Sequence, residues 1–237
     1  MPSELRSPSA FSAVPPVVKN LMIVNGLVFL AQAVFDWLPA GSMQAVGPVM
    51  TWGALWPAGG AAAAAAIGQA APAFYPWQLV TMAFLHGSVL HIAFNMFGLF
   101  SIGPPVEEAL GPRRFLAFYL VSVLGASLLQ LAIVSYPFWT GNVGAGSIFP
   151  TVGASGGLLG VVAAFGILYP RATLFIFPIP FPIQARWLVP GAALVSLYLG
   201  VTGRADGIAH FAHLGGMVAG AIFVLIWRAR QPSRRLA

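Results

Sequence analysis

Apolar positions fill this chain in long runs, and its few polar positions fall mostly between them. A bilayer core takes roughly 20 mostly apolar residues per helix. Runs of that kind cover residues 18–38, 78–102, 115–136, 151–169, 187–202 and 208–227. They predict six spans. The fifth is the shortest, and Pro190 near its start fits a first helical turn better than a helix interior. From Phe115 to Pro170 there is no Asp, Glu, Lys, Arg or His. Residues 39–76 form the longest connection, with Trp52, Trp56, Phe74 and Tyr75 and then Trp77, an aromatic set suited to the headgroup level. This connection reads either as a segment lying on the membrane or as an external loop with a low-complexity alanine run at 61–66. The segment FPIPFP, residues 177–182, predicts a rigid turn. No repeat or second domain is visible, so one membrane domain over residues 18–228 is expected between short tails, 1–17 and 229–237.

Composition agrees with the pattern. Hydrophobic residues make up 59% of the chain and charged ones 7%, against about a quarter charged in soluble domains. The fold class is therefore an all-α membrane protein. Cysteine is absent, which excludes disulfides and thiolate metal sites. The net charge of +6 comes from Lys and Arg scattered in ones and twos between apolar runs, so no nucleic-acid partner is expected.

Lys and Arg positions set the orientation, because cytoplasmic loops retain them. Arg6 and Lys19 precede the first run, Arg113 and Arg114 separate the second and third, and Arg171 and Arg186 separate the fourth and fifth. Arg228, Arg230, Arg234 and Arg235 follow the sixth, and only Arg204 falls on the other side. Both termini are expected in the cytoplasm. Lys19, the run after it and the triplet Ala31-Gln32-Ala33 also resemble a secretory signal peptide. Val34, Phe35, Trp37 and Leu38 extend that run to membrane length, which favours a retained span.

Ionisable groups inside a membrane are costly and so are functional candidates. All four histidines, His86, His91, His210 and His213, fall within runs or at their external ends, at the same depth as Ser155. His91 and Asn95 are four apart and share a helix face; His213, Gly216 and Gly220 share another. Gly216 with Gly220, and Gly156 with Gly160, have GxxxG spacing that permits close helix approach and would bring His213 to Ser155. A neutral imidazole in hydrogen-bond reach can take a serine proton. Gly153 and Gly156 leave backbone N–H groups at a helix start free to face an anion, and His91 and Asn95 could donate to the same oxyanion. Four histidines could instead hold zinc, but no carboxylate lies at that depth and no HExxH occurs. No metal or cofactor is expected. A transporter is disfavoured because no charged pathway crosses to the cytoplasm.

Three motifs then carry a resemblance: WQLVTMAFLHGSVLHIAFNMFGLFSIGPPVEEALG from Trp77 to Gly111, GASG from Gly153 to Gly156, and AHFAHLGGMVAG from Ala209 to Gly220. In order and spacing the chain resembles the rhomboid family of intramembrane serine proteases from Trp77 to Gly220. The resemblance implies a six-helix bundle with Ser155 as nucleophile and His213 as general base, a dyad without an acidic third member. It implies an oxyanion hole from His91, Asn95 and the Ser155 backbone N–H. It favours His213 over His210, since the family's base lies just before a small-residue pair, and gives Glu107 a structural role at the cytoplasmic end of the second span. His86, His210, Gly153 and Gly156 are left as supporting residues. Substrates would be transmembrane helices of other proteins, cut near the external face, and the expected location is a bacterial inner membrane. The alternative within the resemblance is a pseudoprotease that escorts transmembrane segments uncut. Two positions depart from some members: Gln78 stands for an arginine, and Leu159 for an aromatic residue that stacks on the base.

Overall fold

Five helices are long and apolar enough to cross a membrane among the residues described by the computed structural model, which are 14–42, 46–66, 71–142, 148–175, 182–202 and 209–231. The first crossing helix, Pro16–Ala40, comprises α1 (Pro16–Gln32), a π-helical turn at Ala33–Trp37 and a last short turn. The long connection after it then folds into two short helices, α2 (Pro48–Gly53) and α3 (Gly60–Ala66), so the alanine run is helical. After α4 (Gln78–Thr81) come α5 (Val89–Leu110), α6 (Pro112–Thr140), α7 (Ser155–Leu168), α8 (Ala185–Thr202) and α9 (His210–Ala229). Strands β1 (Thr173–Leu174) and β2 (Ile183–Gln184) pair antiparallel between α7 and α8. The FPIPFP turn falls almost wholly outside the described residues, as do Arg6, Arg204, Arg234 and Arg235.

Three expectations need correction. The second run is not one continuous helix from residue 78. After the single turn of α4 its long helix begins only at Val89, because a short 3-10 turn at Met82–Phe84 gives way to extended backbone at Leu85 and Ser88 caps a new helix, its Oγ accepting the His91 N–H at 3.1 Å. The same helix runs through Pro104 and Pro105 to Leu110. The fourth run yields only 14 helical residues, which span about 21 Å. That is shorter than a bilayer core of about 30 Å. Pro190 lies inside α8, whose helix starts at Ala185 because the Ala172 and Pro170 carbonyls accept its first N–H groups.

α7 is the central helix. Ten of its 14 residues are buried, and its glycines let neighbours approach. A Cβ on Gly156 would meet Ala126 of α6, and one on Gly216 of α9 would collide with the Gly156 carbonyl. One on Gly220 would lie 2.8 Å from the Gly160 Cα. The two GxxxG pairs therefore face each other. Gly215, one residue before Gly216, meets the Gly125 carbonyl of α6 instead, so consecutive glycines serve two different helices. On the lower side, Val18, Leu99, Val106, Phe115, Phe118 and Val161 join α1, α5, α6 and α7 in one core. The buried Glu107 carboxylate accepts the Val17 and Val18 N–H groups at 2.9 and 2.8 Å, tying α5 to the first turn of α1.

Candidate active site

The site forms where three chain segments converge on the start of α7. Thr151 pairs with Leu55 of the long connection in a two-bond antiparallel bridge of 2.9 and 3.0 Å. Two residues on, the Gly153 N–H donates to the Met82 carbonyl at 2.9 Å. Gly153 has φ +130°, a conformation that side chains rarely permit. A Cβ there would also stand 2.7 Å from His91 Nε2 and 3.6 Å from Ser155 Oγ. His91 and Ser155 thus both border one backbone position that only glycine fits. Ser155 is the first residue of α7, so its N–H belongs to the helix-start donors that lack an intrahelical acceptor.

α9 brings the imidazole. His213 Nε2 lies 2.8 Å from Ser155 Oγ, a hydrogen bond across 58 residues of sequence. It is possible because Gly216, three residues along α9, abuts Gly156, one residue along α7. Both side chains are partly exposed. A Gln130 side chain on α6 braces both sides: its Nε2 donates to Thr151 Oγ1 at 3.3 Å and its Oε1 accepts the Ala212 N–H at 3.2 Å.

The remaining sequence candidates are placed as follows. His91 lies in the first turn of α5 and its Nδ1 accepts the Gly87 N–H at 3.4 Å. Asn95 is buried one turn further on and donates to the His91 carbonyl at 3.0 Å. His86 lies outside α5, fully buried, with its ring edge-on to His91 at 5.0 Å. His210 is buried at the start of α9, its ring edge-on to His213 at 6.1 Å. Leu159, four residues after the serine, packs against the core. The histidines thus form two pairs, and among the described residues no group of three or more His, Asp or Glu is placed to hold a metal ion.

Gln78 also finds a role. Fully buried, it accepts the Trp56 and Tyr75 N–H groups and donates to the Thr51 and Ala73 carbonyls, all between 3.2 and 3.5 Å. Above it Trp77 stacks on Tyr75 with ring centres 4.6 Å apart, and its indole N–H donates to the Trp52 carbonyl. Sequence reasoning passed over Gln32, Asp36 and Gln130. Asp36 and Gln130 are the lone carboxylate and the lone amide of their apolar runs, and Gln32 is one of three amides in the first, a rarity that is the signal that could have found them.

Comparison with known proteins bears on the whole arrangement. A family model described as Rhomboid domain matches residues 73–230. The chain is 31% identical over 154 residues to Rhomboid protein 1, mitochondrial, of Saccharomyces cerevisiae, covering 62% of this chain and 40% of that protein. It is 31% identical over 162 residues to Rhomboid protease AarA of Providencia stuartii, covering 64% and 56%. To Rhomboid protease GlpG of Serratia proteamaculans it is 31% identical over 170 residues, covering 65% and 49%. The chain thus spans about half the length of these relatives.

Proposed function

This chain belongs to the rhomboid family, and from that premise we propose that it is a serine endopeptidase cutting transmembrane helices of other membrane proteins near the external face. The observation that carries the reading is the 2.8 Å contact between Ser155 Oγ and His213 Nε2. Neutral His213, with its proton on Nδ1, presents an Nε2 lone pair to the serine hydroxyl and accepts its proton as Oγ attacks the scissile carbonyl. The carbonyl oxygen gains charge and is met by the Ser155 N–H, His91 Nε2–H and the second N–H of Asn95. Loss of one such donor typically costs about 3 kcal/mol of transition-state stabilisation. The protonated His213 then gives its proton to the leaving amine, and an acyl-enzyme remains. Water from the external side, deprotonated by His213, releases the acid.

The bundle is read as six helices, with α7 the short member, over the domain 18–228 and with both termini in the cytoplasm. If the lower end of α7 reaches the cytoplasmic boundary near Arg171, its start lies about 9 Å inside the outer edge of a core of about 30 Å. That depth puts Ser155 below the lipid surface yet within reach of water. Regular helices shield their peptide bonds, so glycine or proline in the substrate promotes cutting. A bacterial inner membrane is the proposed location.

The experiment is labelling of the detergent-solubilised protein with a serine-directed fluorophosphonate. Wild type should label, and Ser155→Ala and His213→Ala should not while remaining folded and membrane-inserted. Equal labelling of Ser155→Ala would remove the serine from the reaction; failure of the wild type to label would favour a helix-binding pseudoprotease.

A further inference from the structure

We propose that Gln32, on the first membrane helix, fixes which ring nitrogen of His91 carries its proton and so keeps an Nε2–H aimed at the Ser155 site. The catalytic consequence rests on the reading above; the effect on the ring itself does not.

Gln32 is fully buried near the end of α1. Its amide grips one distant residue twice. The His86 N–H donates to Gln32 Oε1 at 2.9 Å, and Gln32 Nε2 donates to the His86 carbonyl at 3.3 Å. One amide satisfying both backbone groups of a residue is the pairing that a neighbouring strand would provide. It matters here because residues 85–88 are not helical and have no ladder of their own.

The turn so held then grips His91. The next N–H along, that of Gly87, donates to His91 Nδ1, and Ser88 Oγ accepts the His91 N–H. A backbone N–H can only donate, so Nδ1 must present its lone pair. In a neutral imidazole the proton is then on Nε2. Nε2 is the atom that closes on Gly153 beside Ser155 Oγ. In the opposite tautomer a lone pair would face the developing oxyanion, and the donor would become a repulsive group. Gln32 is thus a positioning residue, acting through the His86–Ser88 turn on the tautomer of His91. A Gln32 that merely fastens α1 to the bundle would affect folding but leave the ring unaltered.

The test reads the tautomer directly, by nitrogen NMR of full-length protein with isotope-labelled histidine rings in detergent micelles, with His91→Ala assigning the His91 signals. In the wild type the His91 proton should be on Nε2. Gln32→Met, nearly isosteric but without hydrogen-bonding groups, and Gly87→Pro, which deletes the N–H, should each give a mixture of tautomers. Gly87→Ala keeps the N–H in open space and should retain the wild-type tautomer. Gln32→Met should also lower kcat about tenfold, less than outright loss of an oxyanion donor, with KM within about twofold. A wild-type His91 protonated on Nδ1, or a ring unaltered in both Gln32→Met and Gly87→Pro, overturns the proposal. Should Gln32→Met not fold, the wild-type ring and the two Gly87 variants decide it. An enzyme that never cleaves but whose His91 ring responds as stated supports the tautomer lock and removes only the protease reading.

Discussion

At the residue scale, Gly153 has the least freedom. Any side chain there meets two independent penalties, a φ of +130° and collision with His91 Nε2 and Cε1. Gly153→Ala should therefore cost about 1–3 kcal/mol of backbone strain and also push the imidazole away from Ser155. The expected result is a fall in kcat of about a hundredfold or more, comparable to loss of an oxyanion donor. Cleavage of a helical substrate by folded, purified protein measures it; near-wild-type turnover would mean that the ring and the serine do not share this position. Gln78 makes a different point about chemical type. It accepts two N–H groups and donates to two carbonyls, whereas a guanidinium has five donors and no acceptor. Gln78→Arg should strand the Trp56 and Tyr75 N–H groups and cost about 1–3 kcal/mol, seen as a lower midpoint of thermal unfolding. That Gln78 departs from some rhomboid sequences was legible in the chain. Its four partners were not, because Thr51, Trp56, Ala73 and Tyr75 offer it only backbone groups, which every residue has.

At the scale of elements, hydropathy located the helices better than their ends. The second run misled because Met82, Ala83, Phe84 and Leu85 are as apolar as a helix interior, although the backbone there is a 3-10 turn and then extended. The boundary is written in Ser88, a capping residue whose signal lies in one hydroxyl and not in hydrophobicity. The length of α7 was likewise hidden, since a charge-free stretch has no marker of where helix begins. The first helix carries a further device. Its π-turn holds Asp36, 2% exposed, whose two carboxylate oxygens accept the Val49 and Met50 N–H groups, each at 2.9 Å. This clamps α2, and through Leu55 and Thr151 the long connection is joined to the segment leading into Ser155. Asp36→Ala should leave those N–H groups without their acceptor at a cost of about 1–3 kcal/mol. Limited proteolysis should then cut within residues 46–66 at enzyme concentrations that leave the wild type intact. An unchanged cleavage pattern would show that α2 is held without Asp36, by its apolar contacts with Leu85 and Trp56 and by the Gln78 and Trp77 bonds to its carbonyls.

At the scale of the molecule, the site depends on how closely three helices can stand. In a bilayer, apolar surface gains little by leaving lipid, so close association relies on packing, and small residues supply it. Gly125 with Gly215, Gly156 with Gly216 and Gly160 with Gly220 set α6, α7 and α9 at backbone contact. The α7–α9 pairing was readable from spacing alone, whereas α6 contributes only the lone Gly125, beside Ala126, and gave no pattern. The Ser155–His213 bond is a consequence of that contact, since neither side chain could cross a gap widened by a bulky neighbour. Gly216→Leu should separate α7 from α9, abolish both fluorophosphonate labelling and cleavage, and lower stability by about 1–3 kcal/mol or more through overpacking. Gly191→Leu on α8 is the matched control, because a Cβ there meets nothing within 4 Å, and it should label like the wild type. If Gly216→Leu folded and labelled fully, close contact between α7 and α9 could not be what joins the two side chains, and the dyad would need another cause.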